Sequence, residues 1–224
     1  MQIICLGDSL TWGGYGGNYV DILARLRPEH TFSNAGLGGD TVFNLLRRLE
    51  RDVLTKAPDG VFVMIGANDA ISYLYPATRP YYSQAKRVPE GYITPDQFEQ
   101  SYRELLSQLQ LAHIVSWVGL QPNEYSPDLV EMIGNYNARA ASAARVHGIP
   151  TIDLMNQLMP EHLHDRPPFT MDDINLIGRR VRAHWHDYET ARQRGGFTYT
   201  FDGSHPTPAG AGQIAELLAD FLAS

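Results

Sequence analysis

Ser9 follows an acid at the end of the first apolar run, in Cys5-Leu6-Gly7-Asp8-Ser9-Leu10. Asp202 and His205 stand three apart near the other end of the chain, in Phe201-Asp202-Gly203-Ser204-His205-Pro206. A hydroxyl, an imidazole and a carboxylate share one chemistry. The carboxylate orients the ring, the ring takes the hydroxyl proton, and the oxygen attacks an acyl carbon. Taken alone, Ser9 reads as a helix N-cap, because Asp and Ser both favour that position. The distant Asp-x-x-His pair changes this reading if the fold brings the two ends together.

Acyl transfer also needs donors aimed at the oxygen that gains negative charge, each worth roughly 3–4 kcal/mol of barrier. Two further segments offer them. Asn34–Thr41 reads Asn-Ala-Gly-Leu-Gly-Gly-Asp-Thr, and Gly66–Asp69 reads Gly-Ala-Asn-Asp. Gly39 directly precedes the Asp-Thr of a helix start, where N–H groups lack helical partners and a missing side chain permits close approach. Gly38 competes for the same role, and position favours Gly39. Asn68 brings a side-chain NH2, and the backbone N–H of Ser9 is a third donor. Asp8 and Asp69 flank these positions and are expected to hold turns by accepting backbone N–H bonds.

The elements that must position these residues are legible as alternating patterns. Short apolar runs at Ile3–Leu6, Thr31–Asn34, Val61–Ile65, Ile114–Gly119 and Pro150–Leu154 predict buried parallel strands. Between them lie helical stripes. Val42, Leu45, Leu46, Leu49 and Val53 follow Asp40-Thr41. Phe98, Tyr102, Leu105, Leu106 and Leu109 follow the capping box Thr94-Pro95-Asp96-Gln97. Ser126-Pro127 opens a helix to about His147, and Thr207-Pro208 opens the last one. The alternation implies a parallel sheet with helices on both faces. In such a sheet the turns after Leu6, Asn34 and Ile65 and the turn before the last helix open at one edge, by the carboxyl ends of the strands.

These four blocks, Gly7–Leu10, Gly36–Thr41, Gly66–Asp69 and Asp202–His205, resemble in order and content the GDSL/SGNH family of serine esterases and lipases. The resemblance spans nearly the whole chain. It implies a flavodoxin-like, three-layer α/β/α sandwich of about five parallel strands. It implies Ser9 as nucleophile, Asp202 and His205 as the rest of the triad, and Ser9, Gly39 and Asn68 as the oxyanion hole. Neither a metal nor a cofactor is implied. Family members act on acylated sugars, lysophospholipids, thioesters and aryl esters.

The remaining features bound this expectation. One domain over residues 1–224 is expected, with long segments at 70–93 and 160–201 shaping the cleft. The first is rich in Tyr and Pro and reads as an extended, aromatic-packed loop. The second is expected to hold one helix from about Asp172 to Arg194. These aromatic walls favour short acyl groups, such as acetyl, on a carbohydrate or similar alcohol. The same segments could instead build a homo-oligomer interface. A lysophospholipase or thioesterase of the same family is the alternative, and a nucleotide-binding module the rival from another class. The Gly-x-Gly-x-x-Gly that such a module would use is missing, as is the Gly-x-Ser-x-Gly elbow of other serine hydrolases.

His162, His164, His184 and His186 match no zinc spacing and read as surface residues. Arg179, Arg180, Arg182, Arg192 and Arg194 suit a solvated face or an acidic substrate group. Net charge of −7 gives nucleic-acid binding no support. No run is long enough to span a membrane. The lone Cys5 excludes an internal disulfide and reads as core. With no basic–apolar leader at the start, a cytoplasmic chain is expected, and a trimmed secreted form would look the same.

Overall fold

Five parallel strands form one sheet in the order β2-β1-β3-β4-β5. The computed structural model describes residues 1–223. The strands are β1 (Gln2–Gly7), β2 (Thr31–Gly36), β3 (Gly60–Met64), β4 (Val115–Leu120) and β5 (Thr151–Asp153). Each forms on one of the five expected runs, but only β1, β3 and β4 are largely buried; β2 and β5 lie at the edges of the sheet and stay half-exposed. Alternate side chains face opposite sides of the sheet, which gives two cores. Ile4, Leu6, Val61 and Val63 join one, with α3 (Val42–Asp52), α6 (Pro95–Leu111) and α7 (Pro127–Val146). Cys5, Phe62 and Met64 join the other, under α2 (Tyr19–Leu26) and α11 (Pro208–Phe221). These are the two helical layers expected on either face. Burial pushes the Cys5 thiol up to about 12, so it is an inert core group.

Helix starts follow the sequence signals. The Gln97 N–H donates to Thr94 Oγ1 at 3.2 Å, and the Thr94 N–H to Gln97 Oε1 at 2.9 Å. Ser126 and Thr207 cap α7 and α11, each with Pro at the next position.

The strand order reverses between β1 and β3. One connection leaves β1 toward β2, and the next crosses back to β3. A crevice at the carboxyl ends of β1 and β3 follows from that reversal. Two short helices open there: α1 (Ser9–Trp12) after β1 and α4 (Ala67–Leu74) after β3.

Both long segments differ from their expected form. Residues 70–93 are not an extended loop. They contain the end of α4, a 3-10 turn at Pro76–Thr78, α5 (Arg79–Gln84) and a second turn at Pro89–Gly91. Proline stands at the start of each of the latter three, where its missing N–H costs nothing. The expected single helix from Asp172 to Arg194 is two, α9 (Met171–Arg182) and α10 (Tyr188–Gly195). A short helix α8 (Leu154–Leu158) precedes them. The break lies at His184, whose φ is +48°. The Trp185 N–H donates to the Arg180 carbonyl and the His184 N–H to the Val181 carbonyl, the bonds of a left-handed helix terminator. Glycine normally fills that place, and histidine gives no such signal.

Candidate active site

The Gly7-Asp8-Ser9-Leu10 turn is built by close approach. A Cβ on Gly7 would lie 2.3 Å from Thr11 Oγ1 and 2.5 Å from the Met64 carbonyl, so β1 can end against α1 and β3 only as glycine. Asp8 then caps α1, its Oδ1 accepting the Leu10 N–H at 3.0 Å. Ser9 is the first residue of that helix, and its N–H lies where no intrahelical acceptor exists.

The distant pair meets it. Ser9 Oγ lies 3.0 Å from His205 Nε2, and His205 Nδ1 lies 2.8 Å from Asp202 Oδ2. With Nδ1–H donating to the carboxylate, Nε2 is the acceptor for the Ser9 hydroxyl. Asp202 Oδ1 also accepts the N–H groups of Ser204 and His205, which fixes the acid within its own turn. The ring of Tyr15 packs edge-on to His205 at 5.0 Å, and Phe201 lies over it at 6.1 Å. Burial alone would push the His205 pKa down. The facing Asp202 charge and hydrogen bond outweigh it, with a smaller push from Asp8, and the net shift is upward. Burial likewise pushes Asp202 up, yet the His205 charge and three hydrogen bonds carry it below its ordinary value.

The expected donors line the same cavity, of about 280 Å³. Gly39 turns there with φ +78°, a conformation that favours glycine. Its N–H has no acceptor among the described residues. Gly38 lines the cavity without a positive φ. Asn68 donates one NH2 hydrogen to Asp8 Oδ2 at 3.2 Å and has a second to offer. All five expected site residues, Ser9, Gly39, Asn68, Asp202 and His205, therefore belong to one constellation. Asp8 and Asp69 hold turns as expected: Asp69 is fully buried and accepts the Val42 N–H at 3.1 Å.

A sequence model of the GDSL-like lipase/acylhydrolase family matches residues 5–212 of this chain. The chain belongs to that family. An acetylxylan esterase of Geobacillus stearothermophilus is 29% identical over 123 residues, 47% of this chain and 52% of that protein. The chain's match thus spans about half the length of this curated relative. Two solved structures share the fold at full length. The acetyl xylan esterase AlAXEase superposes with a TM-score of 0.67 at 18% identity, covering 99% of this chain and 100% of that one. A crystal structure of a Geobacillus stearothermophilus acetylxylan esterase superposes with a TM-score of 0.65 at 20% identity, covering 98% and 92%.

Around the GDSL-like constellation lies a shell that the motifs do not announce. The segment after β4, Gln121-Pro122-Asn123-Glu124, grips both halves of the site. Gln121 Nε2 donates to Asp8 Oδ2 at 2.8 Å, and Asn123 Nδ2 to Ser204 Oγ at 2.9 Å. The buried Glu124 carboxylate accepts the N–H groups of Thr198, Tyr199 and Thr200 and the Thr200 hydroxyl. Its own N–H donates to the Gly203 carbonyl at 2.9 Å. This segment follows a strand at the active edge of the sheet, and that position is the signal that could have found it.

The second long segment covers the cavity. Phe169 and the α9 side chains Ile174, Ile177 and Val181 form an apolar wall with Ile71, and Arg182 stands beside it. Arg180 donates to the Tyr15 hydroxyl at 3.2 Å and lies 4.0 Å over the Trp185 ring, so it secures α9. Arg192 pairs with Glu189. Among the described residues, no group of three or more His, Cys, Asp or Glu side chains could hold a metal ion. Among them too, no helix is long and apolar enough to cross a membrane.

Proposed function

We propose that the protein is a serine ester hydrolase that releases short acyl groups, acetyl foremost, from a carbohydrate or similar alcohol. The observation that carries this reading is the unbroken chain from Ser9 Oγ through His205 to Asp202, with spacings of 3.0 and 2.8 Å. In the first half-reaction His205 Nε2 takes the Ser9 proton as Oγ bonds to the ester carbon. Negative charge moves to the carbonyl oxygen, which the N–H groups of Ser9 and Gly39 and the Asn68 NH2 receive. His205 then gives its proton to the departing alcohol oxygen, leaving an acyl-enzyme. Water attacks that ester by the same proton exchange and frees the acid.

The substrate side of the reading rests on the two acetylxylan esterases with the same fold and on the rim of the cavity. Trp12, one helical turn beyond Ser9, is 36% exposed and offers a ring face on which a sugar could lie. The apolar wall of Ile71, Phe169, Ile174, Ile177 and Val181 favours a second reading, in which longer acyl chains are accepted.

A chain-length series decides between them. The wild-type protein is assayed on p-nitrophenyl esters from acetyl to octanoyl and on acetylated xylo-oligosaccharides, with S9A as the blank. Highest kcat/KM on acetyl, with acetate released from the oligosaccharide, is expected. A maximum at hexanoyl or beyond, with no acetate released, would favour the longer-chain reading. No turnover of any ester would contradict both.

A further inference from the structure

We propose that the segment Arg79–Lys86 buttresses the oxyanion hole and that Tyr82 is a positioning residue acting through Asn68. This rests on the esterase reading, in which Asn68 and Gly39 are the donors.

Asn68 stands between two opposed partners. The Tyr82 hydroxyl donates to its Oδ1 at 2.9 Å, while its Nδ2 donates to Asp8 Oδ2 at 3.2 Å. A flipped amide would turn its oxygen toward the Asp8 carboxylate and its NH2 toward the phenol. The Asp8 carboxylate, which also accepts from Leu10 N–H and Gln121 Nε2, sets which end of the amide carries the hydrogens, and the Tyr82 hydroxyl anchors the opposite oxygen so that the second N–H keeps its aim. The phenol suits this task. It is buried, and burial first, then the nearby Tyr81, Asp69 and Asp8, hold its pKa well above the ordinary tyrosine value, so it stays a donor.

The same segment holds the other donor. A Cβ on Gly39 would lie 2.1 Å from the Tyr81 hydroxyl oxygen and 2.7 Å from Lys86 Cε, so the turn is packed directly against these side chains. Lys86 Nζ pairs with Asp40 Oδ1 at 2.9 Å, and Arg48 Nε with Asp40 Oδ2 at 2.8 Å. Asp40, the residue after Gly39, is therefore gripped at both oxygens. Asn44 Nδ2 donates to the Lys86 carbonyl at 2.8 Å and closes the staple from α3. None of Tyr81, Tyr82 and Lys86 lies in the four blocks that carry the family resemblance.

The test compares Y82F, K86M, N68A and N68A/Y82F with the wild type on p-nitrophenyl acetate, with melting temperatures alongside. Y82F keeps the buried ring and removes only the donor. We expect its kcat to fall about tenfold with KM within about twofold, less than the roughly 10²–10³-fold expected for losing a donor outright. In the N68A background the same change should have no further effect on kcat. K86M should lower kcat severalfold, and Y73F, on an exposed tyrosine of the same region, should change nothing. Y82F at the wild-type kcat, or an equal loss with and without Asn68, overturns the proposal. So does a loss in Y82F that tracks a lowered melting temperature and vanishes on cooling. If Y82F fails to fold, the part-exposed Lys86 decides, and K86M at the wild-type rate overturns it. Wild-type protein that turns over no ester would instead count against the esterase reading itself.

Discussion

Asp202 engages His205 twice: Oδ2 faces the ring at Nδ1, 2.8 Å away, and Oδ1 accepts the backbone N–H of the same residue at 2.8 Å. Three residues suffice for both contacts because Gly203, with φ +88°, turns the chain back between them. Ring and backbone are thus held by one carboxylate, and the ring presents Nε2 to Ser9 in one orientation.

That pairing sets a pH dependence. Burial is the largest single influence and opposes protonation of His205, but the Asp202 charge and hydrogen bond, with the Asp8 charge, together outweigh it, so the ring titrates above its ordinary value of about 6.5. The protonated ring cannot accept the Ser9 proton. Activity is therefore full above the raised pKa and lost as pH falls through it. The kcat/KM profile on p-nitrophenyl acetate should show an acid limb with its midpoint above about 6.5. In D202N the limb of the residual activity should move down. A wild-type midpoint below the ordinary histidine value would contradict the geometry.

The two adjacent glycines should separate cleanly. A methyl group at Gly39 would meet the Tyr81 hydroxyl oxygen at 2.1 Å, so the buttress or the turn must give, and the φ of +78° strains the turn that aims the N–H in either case. G39A should lose roughly 10²-fold or more in kcat. At Gly38 the nearest atom to an added Cβ is Trp12 Cε3 at 3.6 Å, an ordinary contact, and G38A should stay within about threefold of the wild type. The reverse order in steady-state kinetics would move the donor to Gly38.

Glu124 carries a stability prediction. E124A leaves three buried groups of the strap it holds, the Tyr199 and Thr200 N–H and the Thr200 hydroxyl, without their acceptor, while the N–H of exposed Thr198 can turn to water. At about 1–3 kcal/mol for each unsatisfied buried group, a loss of at least about 3 kcal/mol is expected. For a chain of this length that lowers Tm by roughly 6–12 °C. Calorimetry checks it, and a change below about 2 °C would show that the strap is held by other means.

The sequence disclosed the parts of this molecule whose chemistry is local. Gly7 ends a strand, Thr94 and Gln97 box a helix, and Asp202 reaches His205 within one turn, so residue types at short spacing sufficed. Order along the chain then supplied the edge of the sheet where the blocks meet. What stayed hidden depends on partners far apart. Glu124 bonds to residues 74–76 positions away, and nothing beside it announces the strap it holds. Tyr82 sits among other tyrosines, and only folding shows which one reaches Asn68. His184 ends a helix in a left-handed turn that glycine usually makes, so the single helix expected there is two.

The central claim is that Ser9 is the nucleophile because His205 removes its proton. The most direct measurement is intact-protein and peptide mass spectrometry after treatment with a fluorophosphonate. One adduct per chain, carried by the peptide containing Ser9 and missing in S9A, is predicted, with labelling strongly slowed in H205A. An adduct on another residue, or equal labelling of S9A and wild type, would contradict the account.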